Sequence, residues 1–365
     1  MRYLFFLTCL LSTLLVKAEG SISLVDDTLP QGVQSRFLVF PFAIKSPETK
    51  AGFGLAGAFF FKAKKNEKNI RTSDVNLLSL YTLRKQLVLV LNSSVFFSGE
   101  EEILRFQGSY SFYPDRFWGV GNHSNNGTRE DYRIRQYFFN PQLLFRVLKK
   151  WYIGGNLEFQ RVYDFDYDQG GIFDREQVVG RYGGITAGIG LLFTWDTRNN
   201  AFSPSTGFFA ELNTTRYNHL FNSDFNFVSH TFDFRKFFRL HINTVLATQV
   251  VLKLNSGEVP VRNLALIGGP ELMRGYWKGR WADKNMIAFQ AEVRHYLFWR
   301  LGVVGFAGMA QVNNSTKNFA IDEFHYSFGG GTRILLQEKE KLNLRIDYGF
   351  GTKSSGLYIT LKEAF

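Results

Sequence analysis

The chain has 365 residues, a formal net charge of +11 at pH 7 and an aromatic content of 17%, with a mean hydropathy of only −0.13. Its one cysteine, Cys9, lies in an apolar N-terminal stretch, which excludes disulfides, thiol catalysis and cysteine-ligated metal from a mature chain. Beyond that stretch, no apolar run approaches the roughly 20 residues of a transmembrane helix, which excludes a helical membrane protein.

Residues 1–18 combine an early positive charge at Arg2, a short apolar run and a small residue at Ala18. This pattern predicts a secretory signal peptide. Residues 19–35 then form a short periplasmic leader, and residues 36–365 form the folded domain. Removal of Arg2 and Lys17 lowers the net charge from +11 to +9. Because an exported chain seldom meets nucleic acid, we expect the basic residues to face lipopolysaccharide, periplasmic partners or an internal lumen.

Period-two alternation dominates the rest of the sequence and predicts about sixteen strands, many of ten residues or more. In the segment 342–350, apolar residues interleave with Asn343, Arg345, Asp347 and Gly349. Strands of this length, apolar on one face and polar on the other, are typical of a membrane-spanning barrel with lipid outside and water inside. We therefore predict an all-β fold, a 16-stranded antiparallel transmembrane β-barrel whose last strand covers residues 355–365.

The connections support this count. Most connections after even strands are short, as expected of periplasmic turns, and those after odd strands are long; the segments 63–73 and 196–205 are exceptions. An even number of strands returns the C-terminus to the periplasm. The last strand carries Gly356 and Tyr358 and ends at Phe365. A terminal aromatic residue on an alternating strand resembles the signal by which the assembly machinery recognises barrels for insertion.

The segment 268–294 has the strongest pattern in the sequence. It is a Gly- and Trp-rich loop with the tip Met273-Arg274-Gly275-Tyr276, followed by an alternating strand that includes Glu292. The loop carries more arginine and aromatic residues than a connector requires. We predict that this long loop, between strands 11 and 12, folds inward and that Arg274 anchors it in the lumen.

Other chemistry is weakly indicated. The dinucleotide-type pattern at residues 52–57 is followed by a strand continuation and not by the helix that holds pyrophosphate, so we expect no cofactor. The histidines lack metal-binding spacing, and we expect no metal site. No Gly-x-Ser-x-Gly elbow occurs. Spacing alone leaves open a barrel phospholipase built from His219, His230, Asn213 and Ser229, although we expect no enzyme.

The segment 196–207 predicts a hydrogen-bonded periplasmic turn. Asp196 and Arg198 bracket it, and Pro204 and Gly207 begin the next strand. With Asn199 in place of the usual Asp, it resembles a turn found in the BamA/TamA superfamily of outer-membrane assembly and translocation barrels, also known as bacterial surface antigens. The tip at 273–276 resembles the Arg-Gly-aromatic loop of that family. The segments 41–54 and 113–122 are similar to those of its short members.

The resemblance implies that Arg274 enters the lumen and pairs with Glu292 and with an Asp on strand 13. The latter position corresponds to Ala307, which cannot form an ion pair. Asp347, Glu211 or Asp233 is then expected to replace the missing carboxylate. Members that insert barrels or export polypeptides carry periplasmic POTRA domains. With a barrel starting near residue 36, we expect a short form that lacks them.

The combined prediction is an outer-membrane barrel of a Gram-negative bacterium, related to assembly and translocation factors. It would aid insertion or passage of protein or lipid through a seam between the first and last strands. Pro41 would weaken that seam by removing one hydrogen-bond donor. A passive pore or a structural surface antigen is the alternative. Expected partners are outer-membrane lipid and lipopolysaccharide, the barrel assembly machinery during biogenesis, and a protein client or a separate periplasmic partner. We expect no nucleic acid.

Overall fold

The computed structural model describes residues 35–46, 50–63, 70–83, 85–124, 127, 129–338 and 341–365. The predicted signal peptide (1–18) and the leader (19–35), apart from Ser35, lie outside the described residues. Among the described residues, no helix has the length and apolar character needed to cross a membrane.

Sixteen strands form one antiparallel sheet in which each strand pairs with the next along the barrel. The predicted 16-stranded transmembrane β-barrel is confirmed, and so is the long inward-folded loop between its eleventh and twelfth strands. Two further short strands, β12 and β13, pair with each other inside that loop. The strands are β1 (Arg36–Ser46), β2 (Lys50–Phe61), β3 (Ser73–Thr82), β4 (Leu87–Phe96), β5 (Glu102–Phe117), β6 (Glu130–Leu148), β7 (Trp151–Asp166), β8 (Gly184–Asp196), β9 (Gly207–Tyr217), β10 (Phe227–His241), β11 (Thr244–Gly257), β12 (Ala265–Ile267), β13 (Trp281–Asp283), β14 (Asn285–Phe298), β15 (Leu301–Asn313), β16 (His325–Gln337), β17 (Leu342–Gly351) and β18 (Ser354–Leu361).

Among the residues described, helices are confined to the connections. These helices are one α-helical turn, α1, and five 3-10 turns. Their bounds are Ile172–Arg175 for α1, and Ser98–Glu100, His219–Phe221, Val261–Asn263, Thr316–Asn318 and Ile321–Glu323 for the 3-10 turns.

The alternation predicted for the strands sets which side of the barrel each residue faces. On β6, Tyr137, Phe139 and Phe145 are exposed on the outer face, whereas Asn140 is buried on the inner face. Successive side chains of a strand point to opposite faces, so an apolar outer row and a polar inner row follow directly from the sequence. The outer rows provide the lipid-facing surface of the barrel.

The last strand differs from the prediction. β18 ends at Leu361 rather than Phe365. Lys362 has a positive φ of 68°, which turns the chain out of the strand. Phe365 is then buried inside the barrel with Phe237 and Ala247, and its carbonyl oxygen accepts a hydrogen bond of 3.0 Å from Arg294. Burial of the terminal aromatic ring and this bond together favour the inward turn over a longer lipid-facing strand.

Described residues of the two periplasmic connections that were longer than expected pack against the barrel wall. In the segment before β3, Ile70 packs in a buried cluster with Phe96 and Tyr152. The neighbouring Arg71 bridges Glu100 at 3.2 Å and Asp196 at 2.5 Å. Ile70 and Arg71 therefore cover the periplasmic end of the barrel wall.

The β8–β9 connection crosses to the opposite wall. Phe202 lies edge-to-face on Phe60 of β2, with ring centroids 5.6 Å apart. Leu38 of β1 and Leu361 of β18 pack against the same cluster. The first and last strands of the sheet therefore meet around one residue of a periplasmic turn.

The external connections pack together into a cap. Phe173 of α1 stacks on Phe117 at 4.5 Å, within a buried apolar cluster that also includes residues of the long loop. Trp277 of that loop donates a 3.0 Å hydrogen bond to Asp115 of β5, and Arg262 donates another of 3.1 Å. These contacts fix the outer part of the long loop against the barrel wall.

Candidate functional site

The long loop is held closed at its base by the β12–β13 hairpin. Its pairs run from Ala265 opposite Asp283 to Ile267 opposite Trp281. Gly268 follows the first strand with φ of 109°, and a Cβ there would lie 2.0 Å from the backbone oxygen of Trp277. Only glycine fits that position, because a side chain would collide with the returning backbone. The hairpin projects residues 268–280 into the lumen as an ordered unit.

Arg274, at the tip of this loop, is buried among carboxylates. Its Nη2 donates to Glu292 at 2.8 Å and its Nη1 donates to Asp347 at 2.5 Å. The side chain is 1% exposed, and its guanidinium lies 3.5 Å from the ring centroid of Phe306. Two charge-assisted bonds and a stacked aromatic ring provide strong, geometrically specific anchoring.

Ala307, the position that corresponds by resemblance to the family's second carboxylate, does not face the arginine. Ala307 is opposite Ala291 and Phe328 in the sheet and lies on the outer face, one residue beyond the inward-facing Phe306. A side chain on the outer face cannot reach the lumen. Asp347 of β17 supplies the second carboxylate instead.

The other two candidates for this role are engaged elsewhere. Glu211 pairs with Arg105 at 2.5 Å, and Asp233 pairs with Arg235 at 2.5 Å. The choice of Asp347 follows from where the loop tip enters the lumen, which is beside β17.

Arg274 belongs to a larger buried network, which we call the arginine cluster. It contains four arginines and three carboxylates: Arg274, Arg294, Arg333 and Arg345, with Glu292, Asp347 and Glu363. Each of these side chains is 2% exposed or less. Burial of so many charges is tolerated only when opposite charges are paired with one another. The cluster therefore connects the loop tip to β14, β16, β17 and the C-terminal segment.

Two glycines of β17 let the tip approach the wall. A Cβ on Gly349 would lie 2.5 Å from the carbonyl carbon of Arg274, and one on Gly351 would lie 2.3 Å from the ring of Tyr276. Gly275 itself has φ of 113° and meets the backbone of Phe350. Backbone lies directly on backbone here, a contact that any larger residue would prevent.

The tip is also bound to the last strand. The hydroxyl of Tyr358 accepts a 3.0 Å hydrogen bond from the Gly275 N–H and donates one of 3.1 Å to the Tyr276 carbonyl. Ser354 donates a 2.7 Å bond to the Gly275 carbonyl. Tyr358 was singled out in the sequence as part of a terminal barrel signal, and that role stays a prediction. Its inward-facing hydroxyl adds a contact between loop and edge strand that the sequence did not indicate.

The periplasmic turn motif lies beneath the cluster. Arg198 donates to Asp196 at 2.9 Å, which brackets the turn as expected. Gly207 has φ of 92°, and a Cβ there would lie 2.3 Å from the Thr197 backbone oxygen. The carbonyl of Pro204 lies 3.5 Å from Nη1 of Arg294. The turn therefore contacts the same arginine cluster as the external loop, from the opposite end of the lumen.

The remaining candidates are not assembled into a site. Residues 52–57 lie within β2 and precede no helix. His230 contacts Thr214 at 3.0 Å, and His219 contacts the Ser223 carbonyl at 2.8 Å, so neither is paired with Ser229. Among the described residues there is no group of three or more metal-binding side chains.

Some site residues were missed by sequence reasoning. Arg333 and Glu363 were not singled out, although Arg333 lies on the inner face of an alternating strand. The inward charge of Arg333, beside Arg345 and Asp347, could have identified it from the sequence. The sequence contained no such signal for Glu363, because the position of Glu363 depends on the turn at Lys362.

The barrel is similar to known proteins in sequence family and in fold. A family model described as the Omp85 superfamily domain matches residues 53–356. The structure is similar to that of BamA from Haemophilus ducreyi lacking POTRA domains 1-3, with 12% identity and a TM-score of 0.57 over 93% of this chain and 73% of that chain. It is also similar to CdiB from Acinetobacter baumannii, with 14% identity and a TM-score of 0.56 over 91% of this chain and 60% of that chain.

The structure is similar as well to that of CdiB from Escherichia coli, with 12% identity and a TM-score of 0.56 over 92% of this chain and 62% of that chain. The chain thus spans less than two thirds of the length of the two CdiB structures. No curated protein matches the sequence. Identities this low show a shared fold and leave the specific activity to be argued from this chain.

Proposed function

Because the chain belongs to the Omp85 superfamily of outer-membrane assembly and translocation barrels, we propose that it aids insertion or passage of protein or lipid at the outer membrane of a Gram-negative cell. The family match places the protein among barrels of this general kind. The route and the cargo are our proposal. The route is a seam between β1 and β18, and the observation that carries the proposal is the state of that seam.

Within the described residues, the hydrogen-bonded ladder starts at β1 and stops at β18, and no ladder joins these two strands. β1 has 11 residues and β18 has 8, because the chain turns inward at Lys362. Pro41, in the middle of β1, lacks a backbone donor. A strand edge with unused backbone groups is a template on which another strand can pair.

The loop tip provides a way to control the seam. Tyr358 and Ser354 bind the tip on the inner side of β18, and Arg274 ties the same tip to β14 and β17. β18 is therefore held from inside the barrel by the loop. Release of the tip would free the edge strand, whereas a docked tip keeps it in place.

The contents of the lumen favour this route over a passive pore. The loop enters from outside, the turn containing Phe202 and Pro204 enters from the periplasm, and Phe365 is buried between them. Water and solutes would have to displace these segments to pass along the barrel axis. A lateral route through the seam does not require the lumen to be cleared.

The proposed partners follow from this route. Outer-membrane lipid and lipopolysaccharide contact the outer face, the barrel assembly machinery acts during biogenesis, and a protein client pairs at the β1 edge. A separate periplasmic protein that delivers the client is part of the same proposal.

The test uses a seam that can be locked. Nζ of Lys362 lies 3.1 Å from Oδ2 of Asp74 on β3, across β1 and β2. In a Cys9→Ser background, Lys362→Cys and Asp74→Cys can be joined by a short thiol-specific cross-linker. The protein is reconstituted in phospholipid vesicles, and the folding rate of a urea-unfolded eight-stranded outer-membrane barrel is measured.

We expect the reconstituted protein to accelerate folding of the client relative to empty vesicles, and the cross-linked variant to lose this acceleration. The same double variant without cross-linker is the matched control and should keep it. No acceleration by the unlocked protein would contradict the insertion of protein clients. Equal acceleration by locked and unlocked forms would contradict the seam as the route.

A further inference from the structure

Part of the inner wall of the first four strands lacks the polar character expected of a barrel lumen. Above the inward-facing Asn76 and Asn92, the next inward positions toward the external ends of β1–β4 are occupied by small or apolar residues, and no charged residue lies among them. We call this surface the lumenal apolar wall, and its described side chains are Phe40, Ala56, Leu78, Leu80, Val88 and Val90.

The sheet register establishes that these residues face inward. Arg105 of β5 forms an ion pair with Glu211 of β9, which is not an adjacent strand, so both point into the lumen. Arg105 is opposite Ser94, which is opposite Asp74. Directly opposite residues share a face and alternate residues along a strand return to it. Leu78, four residues after Asp74, therefore faces the lumen.

The same strands are apolar on their outer face as well. Leu77, Leu55 and Phe53 are exposed there at 52%, 53% and 62%. A strand that is apolar on both faces is normally covered on both faces. The part of the lumen wall that carries the arginine cluster, on β14, β16 and β17, shows the polar pattern that water or charged groups require.

Within the part of the chain that the structure describes, the packing seen on this wall covers its lower part. Phe202 packs near Leu38, Ala58 and Phe60, toward the periplasmic end. Above it, Leu78 remains 37% exposed inside the lumen. Water against a contiguous apolar wall is unfavourable, so an apolar occupant would stabilise this region.

A client strand at the seam does not explain this wall. A strand that extends the sheet from β1 would turn its apolar face to the lipid and its polar face to the lumen. Apolar residues on the inner wall of the barrel would not stabilise such a strand. The outer face of β1–β4 is already an interface with lipid, and the inner wall continues that apolar surface around the β1 edge.

We infer that the lumenal apolar wall binds the acyl chain of a membrane phospholipid that enters past the edge of β1. Phe40, Ala56 and Leu78 of this wall lie near the middle of their strands, at the depth where acyl chains lie in the bilayer. This inference rests on the proposed function in one respect, since the seam is the route by which the lipid reaches the wall. It names phospholipid as a cargo class for that route.

Spin labels on neighbouring residues test the inference. In a Cys9→Ser background, single variants Leu78→Cys, Leu77→Cys and Asn92→Cys are labelled and reconstituted in phosphatidylcholine vesicles. Leu77 faces lipid, and Asn92 is an exposed lumenal residue one strand away. Collision rates with oxygen, which partitions into lipid, and with a water-soluble nickel chelate are then measured.

We expect the Leu78 label to resemble the Leu77 label, with nickel collisions several-fold lower than at Asn92 and oxygen collisions high. Nickel collisions at Leu78 equal to those at Asn92 would mean a water-filled wall and would overturn the inference. Low collisions with both reagents would mean a wall covered by protein and would overturn it equally.

A second variant separates this inference from the proposed function. Leu78→Gln combined with Val90→Gln makes the wall polar, and the label is then placed at Leu80→Cys. Nickel collisions at Leu80 should rise several-fold relative to the label in an unaltered wall; no change would contradict acyl-chain binding. Client folding is measured on the same vesicles. If client folding is lost while the spin label still shows low nickel collisions and high oxygen collisions, the protein-client proposal alone is refuted.

Discussion

Replacement of Arg274 by alanine should cost less stability than replacement of its partner Glu292. Arg274→Ala removes two charge-assisted hydrogen bonds, but neither carboxylate is left alone. Glu292 keeps Arg294 at 2.6 Å, and Asp347 keeps Arg333 at 2.6 Å. Counted by side chains, the arginine cluster would change from four arginines with three carboxylates to three with three. We expect a loss of about 1–3 kcal/mol, the size of a charge-assisted hydrogen bond.

Glu292→Ala has the opposite effect on the balance of charge. It would leave four guanidiniums facing two carboxylates in a site where every side chain is 2% exposed or less. An uncompensated buried charge costs about 3–5 kcal/mol. The excess of positive charge, and not the number of lost bonds, sets the larger cost.

The free energy of unfolding is measured by guanidinium titration of each variant in detergent micelles, followed by tryptophan fluorescence. Arg105→Ala is the matched control, because its pair with Glu211 is also lumenal but 22% and 20% exposed. It should cost about 0–1 kcal/mol, as partly solvated pairs do. A larger loss for Arg274→Ala than for Glu292→Ala would refute the reasoning from charge balance.

Three further outcomes are expected. Arg274→Ala should raise single-channel conductance in planar bilayers above that of the wild type, because the tip no longer holds the loop in the lumen; unchanged conductance would show that other contacts suffice. Gly349→Ala should cost about 1–3 kcal/mol through overpacking and make Arg274 cleavable by trypsin, since its Cβ would lie 2.5 Å from the Arg274 carbonyl carbon. Tyr358→Phe should cost about 1 kcal/mol in the same titration. The exposed Tyr348→Phe should cost less, and equal losses would show that the loop contact is not special.

The facing of each residue could be read from the sequence wherever alternation was regular. Glu292 and Asp347 were placed on the inner face and Phe289 on the outer face by the same period-two rule that the strands obey. The inward loop and the importance of Arg274 were also predictable. An arginine among glycines and aromatic residues in a long external loop has few favourable places other than a polar lumen.

Register and loop entry could not be obtained that way. Ala307 was matched to the family's Asp position by resemblance, and the register places it on the outer face, because a shift of one residue reverses the facing. Likewise, the alternation of the sequence predicted a last strand that extends to Phe365. The turn at Lys362 places it in the lumen, where Arg294 and an apolar cluster compensate for the lost strand pairing.

The sequence alone therefore determined an exported, cysteine-poor barrel of sixteen strands with an arginine-tipped loop, because alternation depends only on neighbouring residues. Tertiary structure decided that Asp347 receives Arg274, that Tyr358 ties the loop to the edge strand, and that one wall of the lumen is apolar. These features depend on which residues of distant segments are brought next to one another. Their placement is set by the register of the sheet and by the point at which the loop enters, and neither is a property of any single segment.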